Sequence, residues 1–271
     1  MTTASNTSPS ANYLLDLFGL GGKTAVVIGG TGVLGGAIAE ALAGAGAHTI
    51  VVGRTLKVDE DDKTIVQRIE GNGGTAEFFQ ADSTSADDLN KLRDHLKAND
   101  RCCDVLVNGP GKNAATPFLE ISEDEWNDIF KVNLNGIRLA CQVLGSYMVE
   151  KGHGSIINIT SVSSELPLSR VFTYSATKAA LLNLTRNLAR EWAPMGVKVN
   201  ALSPGFFPAE QNKKVLTPER VESIMTHSPI DRFGSPEELA GAVLLMAAPK
   251  ASSFLVGANI IVDGGFTAMT I

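Results

Sequence analysis

Two side chains that could exchange a proton stand four residues apart in the stretch Tyr-Ser-Ala-Thr-Lys, Tyr174 to Lys178. In a helix these positions share one face, so the phenol would lie beside the ammonium group. A phenol has a reference pKa of about 10, and a nearby positive charge lowers it toward the range useful for acid–base catalysis. Ser161 follows an apolar run and could donate a hydrogen bond to a carbonyl oxygen. These residues predict proton transfer at a substrate oxygen, although such a pair can be a surface contact and such a serine a turn cap.

A glycine-rich segment, VVIGGTGVLGG, ends the first apolar run. Gly30, Gly32 and Gly35 fit the spacing G-x-G-x-x-G. Gly29 and Gly35 also fit part of G-x-x-x-G-x-G, in which Val33 replaces the middle glycine. A loop of this kind between a strand and a helix offers unpaired N–H groups and a positive dipole to a pyrophosphate. The segment therefore predicts a dinucleotide site, with a tight turn that binds nothing as the alternative.

The end of the second apolar run indicates which dinucleotide is bound. An acidic residue there would bind both hydroxyls of the adenosine ribose and repel a 2′-phosphate. This chain has Gly53 and then Arg54 at that place, and a guanidinium pairs well with phosphate. We therefore expect NADP in preference to NAD. The alternatives are a solvated Arg54 and a return of the acidic stretch 59–62 to the ribose.

Apolar runs of strand length alternate with helix-period segments along the whole chain. Nearly continuous Val and Ile runs are typical of strands buried on both faces of a parallel sheet. This alternation predicts an α/β fold with a doubly wound, Rossmann-type parallel sheet of about seven strands, in a single domain over residues 21–271. Residues 1–20 are predicted to form a disordered or loosely docked tail. The expected strands are 24–29, 47–53, 76–81, 104–109, 154–160, 197–203 and 258–263.

Composition restricts the class of protein. The chain has 271 residues and a net charge of −6, which argues against binding to nucleic acid. No apolar stretch reaches the roughly 18 residues that a membrane span requires, and no metal site is predicted. The three cysteines, Cys102, Cys103 and Cys141, form no disulfide framework, so we expect a protein of the reducing cytoplasm.

Further motifs occur in a fixed order with those above. They are N-G-P-G at 108–111, V-N at 132–133, T-S at 160–161, S-P-G at 203–205 and V-D-G-G-F at 262–266. Together with the glycine segment and Tyr-Ser-Ala-Thr-Lys, this set resembles the short-chain dehydrogenase/reductase family over residues 22–267. The resemblance implies reversible interconversion of a secondary alcohol and a ketone by hydride transfer with NAD(P), and a homotetramer.

The resemblance also implies roles for individual residues. Tyr174 would be the acid/base, and Lys178 would lower its pKa and hold the nicotinamide ribose. Ser161 would position the substrate carbonyl, Asn133 would hold a water in a proton relay, and Asp82 would bind the adenine amino group. The cofactor-binding residues expected on this basis are Gly29, Gly30, Thr31, Gly32, Val33, Leu34, Gly35, Arg54, Asp82, Ser83, Asn108, Gly109, Tyr174, Lys178, Pro204, Gly205 and Phe207.

The chain departs from the pattern of the compact family members at several positions. Their T-G-x-x-x-G-x-G loop is altered by Ile28 and Val33, and GGTGxxG is the form that larger members favour. Gly109 and Pro110 replace the usual second asparagine and alanine after Asn108. Ala209 stands where a threonine is expected near the nicotinamide amide. We expect pyrophosphate binding to persist and one hydrogen bond to the cofactor to be lost.

Two segments, 163–172 and 206–221, are predicted to line the substrate pocket, the second as a mobile lid. The stretches PGFF, EQN, SPIDRFGSPEEL and KASSF resemble D-mannonate oxidoreductases and fructuronate reductases. Arg170, Gln211, Asn212 and Lys213 would then face a sugar acid,. One alternative is a 3-oxoacyl-carrier-protein reductase, which the acidic composition disfavours. Another is a dinucleotide-sensing regulator, which the retention of Tyr174 and Lys178 disfavours.

Overall fold

A single seven-stranded parallel sheet forms the centre of the protein. The computed structural model describes residues 8–207 and 217–269. The strand order is β3-β2-β1-β4-β5-β6-β7, which confirms the predicted doubly wound fold. The strands are β1 (Thr24–Ile28), β2 (His48–Gly53), β3 (Thr75–Gln80), β4 (Val105–Asn108), β5 (Gly154–Ile159), β6 (Val197–Pro204) and β7 (Asn259–Val262).

Helices cover both faces of the sheet. Between α5 and α7 the chain continues as one helical rod, in which Lys131–Asn135 and Cys141–Gly145 are π-helical turns. The α-helices are α1 (Pro9–Phe18), α2 (Val33–Gly44), α3 (Ile65–Gly71), α4 (Ala86–Ala98), α5 (Glu123–Phe130), α6 (Gly136–Ala140), α7 (Ser146–Lys151), α8 (Phe172–Trp192), α9 (Pro218–Thr226) and α10 (Ala240–Ala247). Short 3-10 turns lie at Phe118–Glu120, Val162–Ser164, Ala193–Met195, Pro236–Leu239 and Phe266–Ala268.

The apolar run of β1 supplies both cores, because successive side chains of a strand point to opposite faces of the sheet. Val27 packs into the layer that contains Ile38 of α2. Val26 and Ile28 pack into the layer on the opposite face. All five residues of β1 are buried, as expected for a central strand with helices on either side.

The order of the strands reverses at β1, which lies between β2 and β4. In open α/β sheets, ligands bind in the crevice outside the carboxyl ends of the strands at such a switch point. The pairing of Ile28 with Asn108 brings the glycine segment after β1 beside the loop after β4. The fold therefore provides a crevice where the sequence places its functional residues.

The amino-terminal segment differs from an irregular tail, because Pro9–Phe18 form a helix capped by the Ser8 side chain. This helix buries none of its residues, and Asp16 forms an ion pair with Lys250. Leu20, just after it, is fully buried. Helical order thus begins before the predicted domain start at residue 21. Within residues 8–207 and 217–269, no helix is long and apolar enough to cross a membrane.

Candidate active site

Ser161, Tyr174 and Lys178 meet beyond the carboxyl end of β5. Ser161 comes two residues after that strand, and Tyr174 lies in the first turn of α8. Lys178 follows one helical turn later and is only 2% exposed. Its Nζ lies 5.5 Å from the centre of the Tyr174 ring. The predicted sharing of one helix face by the phenol and the ammonium group is thus present.

The Lys178 ammonium is held by the end of β5. Its Nζ donates a hydrogen bond to the backbone oxygen of Ile159 at 2.7 Å. Burial lowers the pKa of Lys178 from 10.5 to about 8, because the charged form is disfavoured away from water. Part of the lysine population can therefore lose its charge in mildly alkaline solution.

The Tyr174 phenol has a raised pKa, which differs from the lowering that the sequence predicts. Burial is the larger cause, and a hydrogen bond with Ser161 opposes it. The Lys178 ammonium lies over the ring and donates to the Ile159 oxygen, so it does not offset the desolvation of a phenolate. The geometry therefore favours a neutral phenol that can donate a proton.

Ser163, predicted only as part of the lining segment 163–172, orients Ser161. Its backbone N–H and its hydroxyl both donate to Ser161 Oγ, at 3.2 and 3.1 Å. With its oxygen already accepting two hydrogen bonds, Ser161 keeps its own proton for an acceptor in the site. Ser163 is 4% exposed. The run TSVSS was the available signal, but the second hydroxyl gains a role only through the turn Val162–Ser164.

Asn133 lies in the first π-helical turn, fully buried. Its side-chain oxygen accepts the backbone N–H of Lys112 at 2.7 Å, and its amide donates to the Lys112 oxygen at 2.9 Å. The same amide donates to Thr177 Oγ1 at 3.2 Å, and that hydroxyl donates to the backbone oxygen of Tyr174. Asn133 therefore ties the loop after β4 to α8. Its role in holding a relay water stays a prediction.

The lowered pKa of Lys178 predicts a pH-dependent stability. Between about pH 8 and 10.5 the unfolded chain binds this proton and the folded chain has lost it, so the free energy of unfolding should rise with pH. We expect Lys178→Met to lose about 1–2 kcal/mol of that rise between roughly pH 8 and 9.5. Urea unfolding at both pH values checks this. The exposed Lys131→Met is the control, and equal slopes in wild type and Lys178→Met would contradict the prediction.

The glycine segment after β1 has the shape of an anion cradle. Gly29 has φ +82°, and a Cβ at Gly35 would lie 2.2 Å from the Gly29 oxygen. A Cβ at Gly32 would meet nothing closer than 3.4 Å, so that exposed glycine leaves room beside the backbone N–H groups that begin α2. This space and the helix dipole suit a pyrophosphate. Val33 is the exposed first residue of α2, and Leu34 packs against the core.

Thr31 explains why a glycine ends β2. A Cβ at Gly53 would lie 2.6 Å from Thr31 Oγ1, so the threonine occupies the place that a side chain would take. Position 53 is therefore constrained by packing.

Arg54 lines a polar cavity of about 350 Å³. Asp82 also lines it, and its carboxylate accepts hydrogen bonds from the N–H and hydroxyl of Thr84, both at 2.8 Å. These bonds, led by the backbone one, lower the pKa of Asp82 and keep it charged, while Arg54 adds a favourable charge. The cavity thus offers a cation and an acceptor, as an adenosine 2′-phosphate and an adenine amino group require. Its lining residues are Arg54, Gln80, Ala81, Asp82 and Asp88.

We expect Arg54→Ser to weaken NADPH binding about 10- to 100-fold, because a hydrogen-bonded charge partner is lost. NADH binding should change by less than about two-fold, since NADH has no 2′-phosphate to pair with the guanidinium. Fluorescence titration with each dinucleotide measures both effects. The control is Lys57→Ser, an exposed cation three residues away that does not line the cavity. Equal losses for both dinucleotides would contradict this assignment.

The remaining predicted cofactor residues lie at the ends of β4 and β6. Asn108 donates to Asn158 at 2.9 Å, and its Oδ1 has no partner among the described residues. Ser83 packs against Gly136, and Gly109 lies against Gly29. Pro204 ends β6, and a Cβ at Gly205 would lie 2.7 Å from Asp263. Phe207 is buried, whereas Ala209, Gln211, Asn212 and Lys213 lie outside the described residues.

Comparisons with known proteins agree with this geometry. The family model "Enoyl-(Acyl carrier protein) reductase" matches residues 31–267. A 2-dehydro-3-deoxy-D-gluconate 5-dehydrogenase of Bacillus subtilis (strain 168) is 36% identical over 94% of this chain and 98% of the relative. An uncharacterized oxidoreductase, UxuB, from the same strain is 34% identical over 92% of this chain and 96% of the relative.

Solved structures give the same result. A gluconate 5-dehydrogenase from Burkholderia cenocepacia J2315, in complex with NADP and tartrate, superposes with a TM-score of 0.87. It is 33% identical and covers 94% of this chain and 99% of that one. Because the matches extend over nearly the whole length of the chain, the family that its motifs resemble is confirmed: the chain belongs to the short-chain dehydrogenase/reductase family of NAD(P)-dependent oxidoreductases.

Proposed function

We propose that this protein interconverts a secondary alcohol and a ketone on a sugar acid, with NADP as the preferred dinucleotide. The observation that carries the proposal is the group formed by buried Ser161 and Lys178 with partly buried Tyr174, set at the switch-point crevice beside the glycine cradle. Arg54 and its polar cavity support NADP. The D-mannonate/fructuronate type predicted from the sequence is one member of this substrate class.

The protein's own residues perform the proton chemistry. A bound nicotinamide supplies or accepts the hydride, and the protein orients the reactants. Ser161, whose oxygen is already engaged by Ser163, donates its hydrogen bond to the substrate oxygen. Tyr174 gives its proton to that oxygen in reduction and removes it in oxidation. Lys178, held by the end of β5, holds the nicotinamide ribose.

Two further roles belong to the proposal. Asn133 keeps the loop at Lys112 in place and holds the water of a proton relay. The glycine cradle would hold the pyrophosphate, and the free space at Gly32 would admit it. Both roles rest on the fit of the described residues to the dinucleotide.

The names of two relatives favour a sugar acid, because one acts on 2-dehydro-3-deoxy-D-gluconate and the other on gluconate. The acidic composition, with a net charge of −6, disfavours the binding of an acidic carrier protein. A hexonate is therefore the better candidate than an acyl thioester.

Cofactor binding followed by turnover tests the proposal. Purified protein is titrated with NADPH and NADH by fluorescence, and then assayed with hexuronates, aldonates and acetoacetyl thioesters. We expect tighter NADPH binding and turnover of at least one sugar acid. Turnover of the thioester alone would assign the protein to fatty-acid chemistry. Dinucleotide binding without turnover of any member of the panel would favour a regulator.

The proposal includes a homotetramer in the cytoplasm. Two features support the assembly: β7 is the last strand of the sheet, and the Phe254 side chain before it is fully exposed. An open strand edge with an adjacent aromatic side chain is suited to pairing with another copy. The mass measured by light scattering checks the assembly.

A further inference from the structure

Arg220 of α9 reaches across to the loop that leads into α8. Its guanidinium donates a hydrogen bond to the backbone oxygen of Ser169 at 3.0 Å. Ser169 lies five residues before Tyr174 in the chain. The contact therefore brings a half-buried cation from one predicted substrate-lining segment onto the other, in the loop that precedes Tyr174.

Arg170, the residue after Ser169, adds a second cation at the same place. Partial burial lowers the pKa of Arg220, and the nearby positive charge of Arg170 lowers it further. Its backbone has φ +65°, a left-handed conformation that is uncommon for arginine and that occurs often at ligand sites. Two like charges and a strained backbone are unfavourable together unless something compensates for them.

No carboxylate of the described residues compensates for this charge. Within residues 8–207 and 217–269, neither Arg170 nor Arg220 forms an ion pair. Glu165, on the same loop, pairs instead with Arg186 at 3.4 Å. Glu219, beside Arg220, interacts with its own backbone and with Thr217. In a chain with a net charge of −6, two neighbouring arginines that pair with no carboxylate of the described residues form a local attraction for an anion.

We propose that Arg170 and Arg220 form the subsite that binds the carboxylate of the substrate. The inference rests on the proposed sugar-acid function and goes further, because it assigns the residues that select an acid over a neutral polyol. Arginine suits this task, since its guanidinium binds a carboxylate through two parallel hydrogen bonds. The position of the loop before Tyr174 would place the acid group at the entrance and a hydroxyl-bearing carbon beside the phenol.

The test compares an acid with its neutral analogue. KM and kcat are measured for the sugar acid turned over fastest and for the polyol that lacks its carboxylate, in wild type, Arg170→Gln and Arg220→Gln. We expect KM for the acid to rise about 10- to 100-fold in each variant, with kcat and the KM of the polyol changing less than about two-fold. Arg220→Lys, which keeps the charge, should recover part of the loss.

The matched control is Arg186→Gln, which removes an exposed arginine whose carboxylate partner lies on the same loop. It should leave both KM values unchanged. An equal rise of KM for acid and polyol in the Arg170 and Arg220 variants would indicate a structural effect and overturn the inference. Unchanged values for the acid would also overturn it.

A binding measurement separates this inference from the proposed function. Calorimetric titration with tartrate, in the presence of NADP, reports carboxylate binding without turnover. If no sugar acid is turned over but tartrate binds to wild type and not to the two arginine variants, the proposed function fails and the subsite stands. If tartrate binds wild type and the variants equally, or does not bind wild type, the subsite is overturned.

Discussion

Tyr174→Phe is expected to lower kcat about 10²- to 10⁴-fold, the range that a positioned acid or base contributes. The substitution removes one oxygen and keeps the ring that Lys178 faces. Lys178 keeps its hydrogen bond to Ile159 and Ser161 keeps those from Ser163, so only the hydrogen bond between Ser161 and the phenol is lost. Dinucleotide affinity and the melting temperature should therefore stay close to wild type.

Steady-state kinetics and fluorescence titration on the same preparation check this result. Tyr13→Phe is the control, because Tyr13 is 65% exposed on α1, outside the site. A Tyr174→Phe enzyme within ten-fold of wild type would assign the proton transfer to another group. A parallel loss of dinucleotide binding would point to a positioning role for the phenol.

Gly35→Ala should destabilise the protein by at least about 3 kcal/mol, at the upper end of what overpacking costs. The added Cβ would lie 2.2 Å from the Gly29 oxygen and 3.0 Å from the Gly30 Cα. These are backbone atoms of the adjoining turn, and Gly29 is itself held against Gly109. The loop must therefore open, and we expect dinucleotide binding to be lost with the stability.

Gly44→Ala is a matched control in the same helix. Gly44 ends α2, and a Cβ there meets no atom within 4 Å. Since alanine favours helix over glycine, this variant should gain up to about 1 kcal/mol. Urea unfolding and NADPH titration of both variants measure the contrast. Equal stabilities for the two alanine variants would show that the turn can relax without cost.

The sheet was predictable from sequence because each buried strand is itself an apolar run. The run 24–29 corresponds to β1, and the run 197–203 to β6, with ends shifted by about one residue. Helix α1 was not predicted, although Leu14, Leu15 and Phe18 recur at the helical spacing of three and four residues. Its Ser8 cap and its proline at the start were the local signals available.

The site was predictable in part. Tyr174 and Lys178 are one helical turn apart, so their proximity follows from local geometry. The direction of the Tyr174 pKa does not follow from spacing, because it depends on burial by distant parts of the chain. The hydrogen bonds between Asn133 and Lys112 and between Arg220 and Ser169 do not follow from spacing either. Each joins residues that only the folded chain brings together.

The position of β1 between β2 and β4 has a consequence for synthesis on the ribosome. Residues 25–28 pair with residues 105–108, so one edge of β1 stays open until about eighty more residues have been made. During that interval the emerging chain has an unpaired strand edge with apolar side chains on both faces, the kind of surface that promotes aggregation. The dinucleotide crevice, which β1 and β4 form together, cannot be completed until β4 has been synthesised. The central strand is thus synthesised early but paired on both edges only later. Chaperones that hold nascent chains would act in this interval.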